Sequence, residues 1–194
     1  STTASGEFSH TEGEFTKTYF QGSHAEGYNT FTSASYSHTE GKFTSTEGEG
    51  AHAEGERTKA KGDYSHAEGS YAEAIGNYSH AEGYLTTAMG SGSHAEGYST
   101  ATSASHSHAE GKETSAMEEG AHAEGFQTYA SGLYSHTEGL LTLATNEASH
   151  AEGIFTTASS NYAHSEGQST LASGNQAHSE GYFTTASNNN SHAE

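Results

Sequence analysis

Small and variable side chains alternate along this chain. In residues 86–97 the small residues are Thr86, Ala88, Ser93 and Ala95, and the positions between them hold side chains of very different sizes. Alternation with a period of two residues is typical of a β-strand whose two faces meet different surroundings. A helix is disfavoured, because no apolar stripe with a 3.6-residue period can be drawn. The pattern therefore predicts short strands that turn small side chains to one side.

The alternation belongs to a 14-residue repeat without insertions or deletions. Fourteen of the fifteen histidines follow this spacing, from His10 to His192, and a glutamate lies two residues after each of them. A glycine comes next in every copy that includes it, from Gly13 to Gly181. The two similar halves of each repeat predict two five-residue strands and two turns per coil. Residues 1–194 are thus expected to be a single all-β solenoid of about fourteen coils, excerpted from a longer fibre.

The repeat assigns each position to the inside or the outside of a coil. The small residues of both strands must point inward, because a 14-residue coil is too narrow for larger side chains. Glycine suits turns that need a positive φ or a close backbone approach. Every copy that includes the position has glycine after the glutamate. The equivalent position of the other half varies between copies and holds, for example, Gly62, Ala34 and Asn146. That second turn is therefore expected to be sterically freer.

One outward face is uniform and the other is not. The outward residues of one strand vary without rule, as on a solvated surface. The outward residues of the other strand, here named the His/Glu face, are always His and Glu, and such uniformity is expected of a packed interface that repeats along an axis. We predict that this face is buried against copies of itself in other chains. The residues assigned to it are His10, Glu12, His24, Glu26, His38, Glu40, His52, Glu54, His66, Glu68, His80, Glu82, His94, Glu96, His108, Glu110, His122, Glu124, His136, Glu138, His150, Glu152, His164, Glu166, His178, Glu180, His192 and Glu194.

The repeat resembles the head repeat of trimeric autotransporter adhesins of the YadA type and related repeats of bacteriophage tail fibres. That family's unit also has 14 residues, written roughly Ser-x-Ala-x-Gly-x-x-Ser-Val-Ala-Ile-Gly, and the segment from Thr86 to Gly97 fits it. The resemblance covers essentially the whole chain. It implies a left-handed parallel β-roll, a homotrimer around a threefold axis and a role in attachment to surfaces. Because His and Glu replace the family's axial Val and Ile, it implies a polar, layered axis.

Composition narrows the function classes. The chain has 25 acidic and 6 basic residues and a formal net charge of -19, which argues against binding to nucleic acid. The absence of Cys excludes disulfide frameworks, thiolate zinc sites and Cys nucleophiles. No apolar run approaches the roughly 20 residues of a membrane span. Val is absent and Leu and Ile are few, so a large apolar core is excluded.

The histidines and glutamates that recur in every repeat are here named the register histidines and the register glutamates. Burial of the register glutamates would require compensation of their charge, because uncompensated buried charges cost several kcal/mol each. The equal number of histidines can supply it through His–Glu hydrogen bonds, which would lower the glutamate pKa and raise the imidazole pKa. Stability would then be greatest at mildly acidic pH. Histidines around an axis could instead offer nitrogen ligands to zinc or nickel. No metal site or cofactor is assigned on the repeat alone.

Catalysis has little support in the sequence. Every Ser–His pair belongs to the repeat, and the close carboxylate pairs off the register are Glu47 with Glu49 and Glu118 with Glu119. Two carboxylates can serve a glycosidase, but these pairs fall near a turn of a solvated surface.

Tyr and Phe residues cluster at the turns, where we expect them to stack between coils or to wedge between chains.

These observations favour a structural protein over an enzyme. We expect a homotrimeric, adhesive, extracellular fibre segment located at a cell surface or in a virion appendage. Its partners would be copies of itself and a host-surface glycan or protein, with no nucleic acid and no membrane span. Two alternatives remain open: a metal-binding filament that uses the His/Glu layers, and a phage tail spike that acts on polysaccharide.

Overall fold

The computed structural model describes residues 2–194, which form strands, turns and bends and no helix. They divide into two compact units, one ending at Ser99 and the other beginning at Thr100. Each unit is a parallel β-solenoid in which one long and one short strand alternate seven times. None of the described residues forms a helix long and apolar enough to cross a membrane. The all-β class, the parallel solenoid and the 14-residue coil are therefore confirmed.

The strands that begin at the register histidines form one wall of each unit. In the first unit they are β2 (His10–Glu14), β4 (His24–Tyr28), β6 (His38–Lys42), β8 (His52–Glu56), β10 (His66–Ser70), β12 (His80–Tyr84) and β14 (His94–Tyr98). In the second unit they are β16 (His108–Lys112), β18 (His122–Phe126), β20 (His136–Leu140), β22 (His150–Ile154), β24 (His164–Gln168), β26 (His178–Ser179) and β28 (His192–Ala193).

Two-residue strands form the opposite wall. In the first unit they are β1 (Thr3–Ala4), β3 (Lys17–Thr18), β5 (Phe31–Thr32), β7 (Ser45–Thr46), β9 (Lys59–Ala60), β11 (Glu73–Ala74) and β13 (Thr87–Ala88). In the second they are β15 (Ala101–Thr102), β17 (Ser115–Ala116), β19 (Tyr129–Ala130), β21 (Leu143–Ala144), β23 (Thr157–Ala158), β25 (Leu171–Ala172) and β27 (Thr185–Ala186).

Parallel pairing places equivalent residues of successive coils side by side. In the first unit β10 pairs with β8 and β12, so that His66 lies opposite His52 and His80. In the second unit His136 of β20 likewise lies opposite His122 and His150. Because the coil has a constant length, every outward side chain has a copy of its own position above and below it.

The interior is filled by small side chains, as predicted. Thr86, Ala88, Ser93 and Ala95 are each at most 1 % exposed, and threonines are the largest of the fully buried side chains. Buried alanines form one cluster in the first unit and two in the second. The coil therefore closes on its own backbone with almost no space between its walls, and little apolar area is available to stabilise it.

The two halves of a coil are not alike, which corrects the prediction of two five-residue strands. The wall opposite the His/Glu face keeps only two paired residues per coil. The two corners of the coil are evenly spaced at seven residues, so they do not explain this difference. One lies two residues before each register histidine, as at Tyr64, and the other lies five residues after it, as at Tyr71, and both have a φ between 55 and 57°. A positive φ reverses the chain sharply, so the backbone leaves the sheet at both corners.

The glycine after each register glutamate lies inside the long strand and not in a turn, which is a second correction. Its φ is between 102 and 115° in the complete long strands, and it is 98° at Gly181, which follows the shortened β26. A Cβ atom at Gly69 would lie 2.2 Å from the carbonyl oxygen of Gly83 in the next coil. Both the backbone conformation and the close approach therefore require glycine, which explains why the position has no exception.

Candidate functional site

The His/Glu face is built by the alternation of the long strands. In β10 the Ala67 side chain is buried in the coil, whereas His66 and Glu68 point outward and are half-buried. The same assignment holds along both units, and all the predicted His and Glu residues among residues 10–194 lie at this outward register. Only at the end of the second unit does the strand shorten, so that Glu180 and Glu194 follow β26 and β28 instead of lying within them.

The register histidines form a ladder of parallel rings in each unit. In the first unit the rings from His24 to His94 stack with centroid separations of 4.7 to 4.8 Å. In the second unit the rings from His108 to His192 stack at 4.6 to 4.9 Å. His10 meets His24 edge-on, with an interplanar angle of 71°. The ladder follows directly from in-register pairing, because the ring spacing equals the spacing of neighbouring strands.

Most ladder nitrogens have no hydrogen bond to a glutamate of their own chain, and bonds to a neighbouring chain stay a prediction. In the first unit the His66 Nε2 atom lies 3.8 Å from the Glu68 carboxylate of its own coil. The Nε2 atoms without any hydrogen bond are those of His24, His38, His52, His66, His80, His122, His136, His150 and His164. The predicted bond forms at the end of the second unit, where His178 lies 3.0 Å from Glu166 and His192 lies 2.9 Å from Glu180. There the carboxylate reaches toward the histidine of the following coil.

The imidazole pKa shifts in the opposite direction from the one predicted. Burial lowers the pKa of His66 below its usual value, and positive charge on His52 and His80 lowers it further. The nearby carboxylates of Glu68 and Glu54 oppose these effects without reversing them. His24, His122 and His150 show the same lowered pKa with burial as the leading cause. For these four residues the pKa in the single chain is lowered and not raised, because burial disfavours the charged ring and stacked imidazoles repel each other when protonated.

The opposite wall carries an ionic cluster in place of a uniform ladder. Lys59 Nζ lies 2.8 Å from Glu73 Oε1, and Lys61 Nζ lies 3.1 Å from Glu73 Oε2. The hydrogen bond from Lys59 is the largest of the effects that lower the pKa of the Glu73 carboxyl. The cluster occupies only two coils, so the variable outward positions behave as a solvated surface.

Aromatic side chains occupy the corners of the coils and contact their neighbours along the stack. Tyr64 and Tyr78, at corners, stack with ring centroids 5.6 Å apart, and Tyr84 and Tyr98, the last residues of β12 and β14, stack at 5.1 Å. Tyr64 and Tyr78 nevertheless remain 56 and 66 % exposed. The prediction of stacking between coils is confirmed at these corners. Sequence reasoning missed that many of these residues have a positive φ, since large side chains are a poor signal for that conformation.

The turns that precede the register histidines are here named the outer turns. The carboxylate pairs outside the repeated His and Glu positions lie on the surface of these turns. Glu47, Glu49, Glu118 and Glu119 are all exposed. A cavity of about 260 Å³ lies elsewhere, at the outer turns of the second unit, and its lining consists of Asn161, Tyr162, Asn175, Gln176, Asn189 and Asn190. The only extended constellation of chemically active side chains among residues 2–194 is thus the His/Glu face.

Comparison with known proteins leaves the repeat itself as the basis for a functional assignment. A scan against protein-family models finds no match to the chain. A search of curated proteins finds no match either.

Proposed function

We propose that this chain is a structural and adhesive segment of an extracellular fibre. In this proposal the coils are left-handed, and three chains assemble around a threefold axis with their His/Glu faces inward. The fibre belongs to a cell surface or a virion appendage and binds a host glycan or protein. The chain performs no catalysis in this role.

The observation that carries the proposal is the contrast between the two walls. Stacked copies of Lys59 are Glu73 and Thr87, which share neither charge nor size. On the His/Glu face every rung is identical, although outward side chains of a solenoid are free to vary without harm to the coil. A surface that presents the same groups at each level fits a partner with the same repeat, and a second copy of the chain has that repeat.

The polarity of the face supports the same conclusion. The side chains of His80 and Glu82 are 34 and 46 % exposed in the single chain, and the His80 nitrogen has no hydrogen bond. A buried polar atom without a partner costs about 1–3 kcal/mol. Carboxylates from neighbouring chains would complete the missing bonds and cover the exposed parts of both side chains.

Sedimentation equilibrium of the chain in the presence of a chelator tests the assembly. The expected particle has three times the chain mass of 20.2 kDa, because a coil lined by small residues gains little stability alone. Glu82→Arg should disrupt the particle, because the three copies of this larger side chain would meet at the axis and repel one another as like charges. Thr87→Arg is the matched control on the opposite wall and should leave the assembly intact. A stable 20.2 kDa species with complete β-sheet circular dichroism would contradict the proposal.

A further inference from the structure

The second unit brings metal-ligating atoms together at three overlapping places on the His/Glu face. The groups are His150, Glu152 and His164; His164, Glu166 and His178; and His178, Glu180 and His192. Within each group the imidazole nitrogens and the carboxylate oxygen all lie within 4.8 Å of one another. Two imidazoles and one carboxylate form a donor set that suits Zn²⁺ and leaves a fourth position for water. We propose that this unit binds a divalent transition-metal ion of the zinc class at His164, Glu166 and His178.

The position of Glu166 distinguishes this group from the preceding coils and is matched by Glu180 at the end of the unit. Its Oε1 atom lies 3.0 Å from His178 Nε2, so the carboxylate already bridges two coils. In the first unit the contacts run instead within a coil, as between His66 and Glu68 at 3.8 Å. A carboxylate that spans two rungs places its oxygen between their ring nitrogens, where one ion could bind all three.

The donor atoms are chemically ready for a metal. His164 Nε2 is buried and has no hydrogen bond, so binding it would break no existing interaction. Zinc–nitrogen bonds of about 2.0–2.1 Å require the donors to approach one another to about 3.4 Å. The side chains of Glu166 and His178 are 32 and 36 % exposed, so they have room to rotate until their donor atoms reach this separation.

The overlap of the three groups limits the number of ions once the central group is occupied. His164 and His178 each present one Nε2 atom and each belong to two groups. An ion at the central group therefore removes one histidine from each outer group and leaves it with a single histidine and a glutamate. We expect one tight site per chain, with any further ions bound weakly.

Titration of the metal-free chain with Zn²⁺ against a chromophoric chelator tests the inference. The expected stoichiometry is one tightly bound ion per chain. The double variant His164→Gln/His178→Gln removes a ligand from all three groups. Loss of an outer-shell partner alone weakens metal binding by about 10–100-fold, so the loss of these ligands should weaken it by at least about 100-fold.

The matched control is His66→Gln/His80→Gln, which removes two adjacent rungs of the same ladder outside the three groups. It should bind Zn²⁺ as the unchanged chain does, and circular dichroism should show that both variants keep their strands. Equal loss in the two double variants, retained binding in the first, or no tight binding at all would overturn the proposal. Sedimentation in chelator measures the oligomer without metal, so a failure of metal binding and a failure of assembly can be told apart.

Discussion

At the scale of single residues, the interior of the coil is notable for hydroxyl groups. Thr86 is fully buried and its Oγ1 atom has no hydrogen-bond partner. Thr39 is equally buried, but its hydroxyl lies 3.0 Å from that of Thr32 and 2.8 Å from that of Thr46. The same residue type therefore makes opposite contributions to stability in different coils. Threonine fits the narrow coil by its volume even where its hydroxyl is unpaired.

Replacement of these two threonines by valine separates the two contributions. Thr86→Val removes an unsatisfied buried hydroxyl at nearly constant volume and should raise the free energy of unfolding by about 1 kcal/mol. Thr39→Val breaks a chain of buried hydrogen bonds and should lower it by about 1–2 kcal/mol. Urea unfolding of both variants measures the difference. Changes of the same sign would show that the two hydroxyl environments are equivalent.

At the scale of the element, the serine before the register histidine closes the outer turn. Ser65 Oγ donates a hydrogen bond to the carbonyl of Gly62 at 2.6 Å, and the Ser65 backbone N–H points to the same oxygen at 3.3 Å. Ala51 occupies the equivalent position in the preceding coil and keeps only the backbone bond, to Gly48. Both small residues fit the interior, and serine adds a second bond to the turn.

The glycines of a coil differ in how strictly they are required. Gly69→Ala should cost more than about 3 kcal/mol, because a positive φ is itself worth about 1–3 kcal/mol of strain and the new Cβ would contact the Gly83 backbone. Gly62→Ala is the control. An added Cβ there would lie 2.0 Å from the Gly76 carbonyl, but Ala34 occupies the equivalent place, so a small backbone shift suffices. Thermal melting compares the two, and equal losses would contradict this distinction.

Much of the coil could be predicted from the sequence because its determinants are periodic. The inward direction of Thr86 and Ala95 follows from alternation, and the rung positions of His66 and Glu68 follow from constant spacing. The corners could not be predicted, because the corner at Tyr71 has a positive φ without being glycine. The direction of the imidazole pKa shift was also missed. It depends first on how deeply each ring is buried and then on how closely like rings stack, and the sequence gives neither.

At the scale of the whole molecule, the chain carries a formal charge of -19 with neutral histidines, and fourteen of these histidines belong to the repeat. Protonation of the ladders would reduce the net charge but would place positive charges on rings less than 5 Å apart. Repulsion between neighbouring rungs is stronger than repulsion between distant surface charges, because salt screens the latter. Acid should therefore weaken the coils although it moves the molecule toward neutrality.

The expected pH profile has its loss of stability on the acid side. For His66 and His122 the pKa is lower in the folded chain than the ordinary value of about 6.5. Their contribution is fully present above the unfolded pKa and is lost as pH falls through the folded value, because the unfolded chain binds more protons. Melting temperatures measured in chelator should be level from pH 7.5 to about 9 and should fall from pH 6.5 to 5.

Two variants locate the origin of this profile. His66→Gln removes one ladder ring and should reduce the fall at acid pH. His106→Asn changes the one histidine outside the repeat and should leave the profile as it is. A maximum of stability at mildly acidic pH would contradict this profile, because it would mean that the imidazoles bind neighbouring carboxylates in their protonated form and not as neutral N–H donors.

The constant coil length makes the extent of the protein adjustable in discrete steps. Within the first unit, removal of residues 57–70 would join Glu56 to Tyr71, and the shortened chain would keep the order of corner, strand and turn. Because each coil contacts mainly its neighbours, such a deletion removes one level without disturbing the others. Removal of a single residue would instead turn buried side chains outward. Unequal recombination between repeats can thus lengthen or shorten this protein by whole coils, and reach becomes a property that evolves without redesign of the fold.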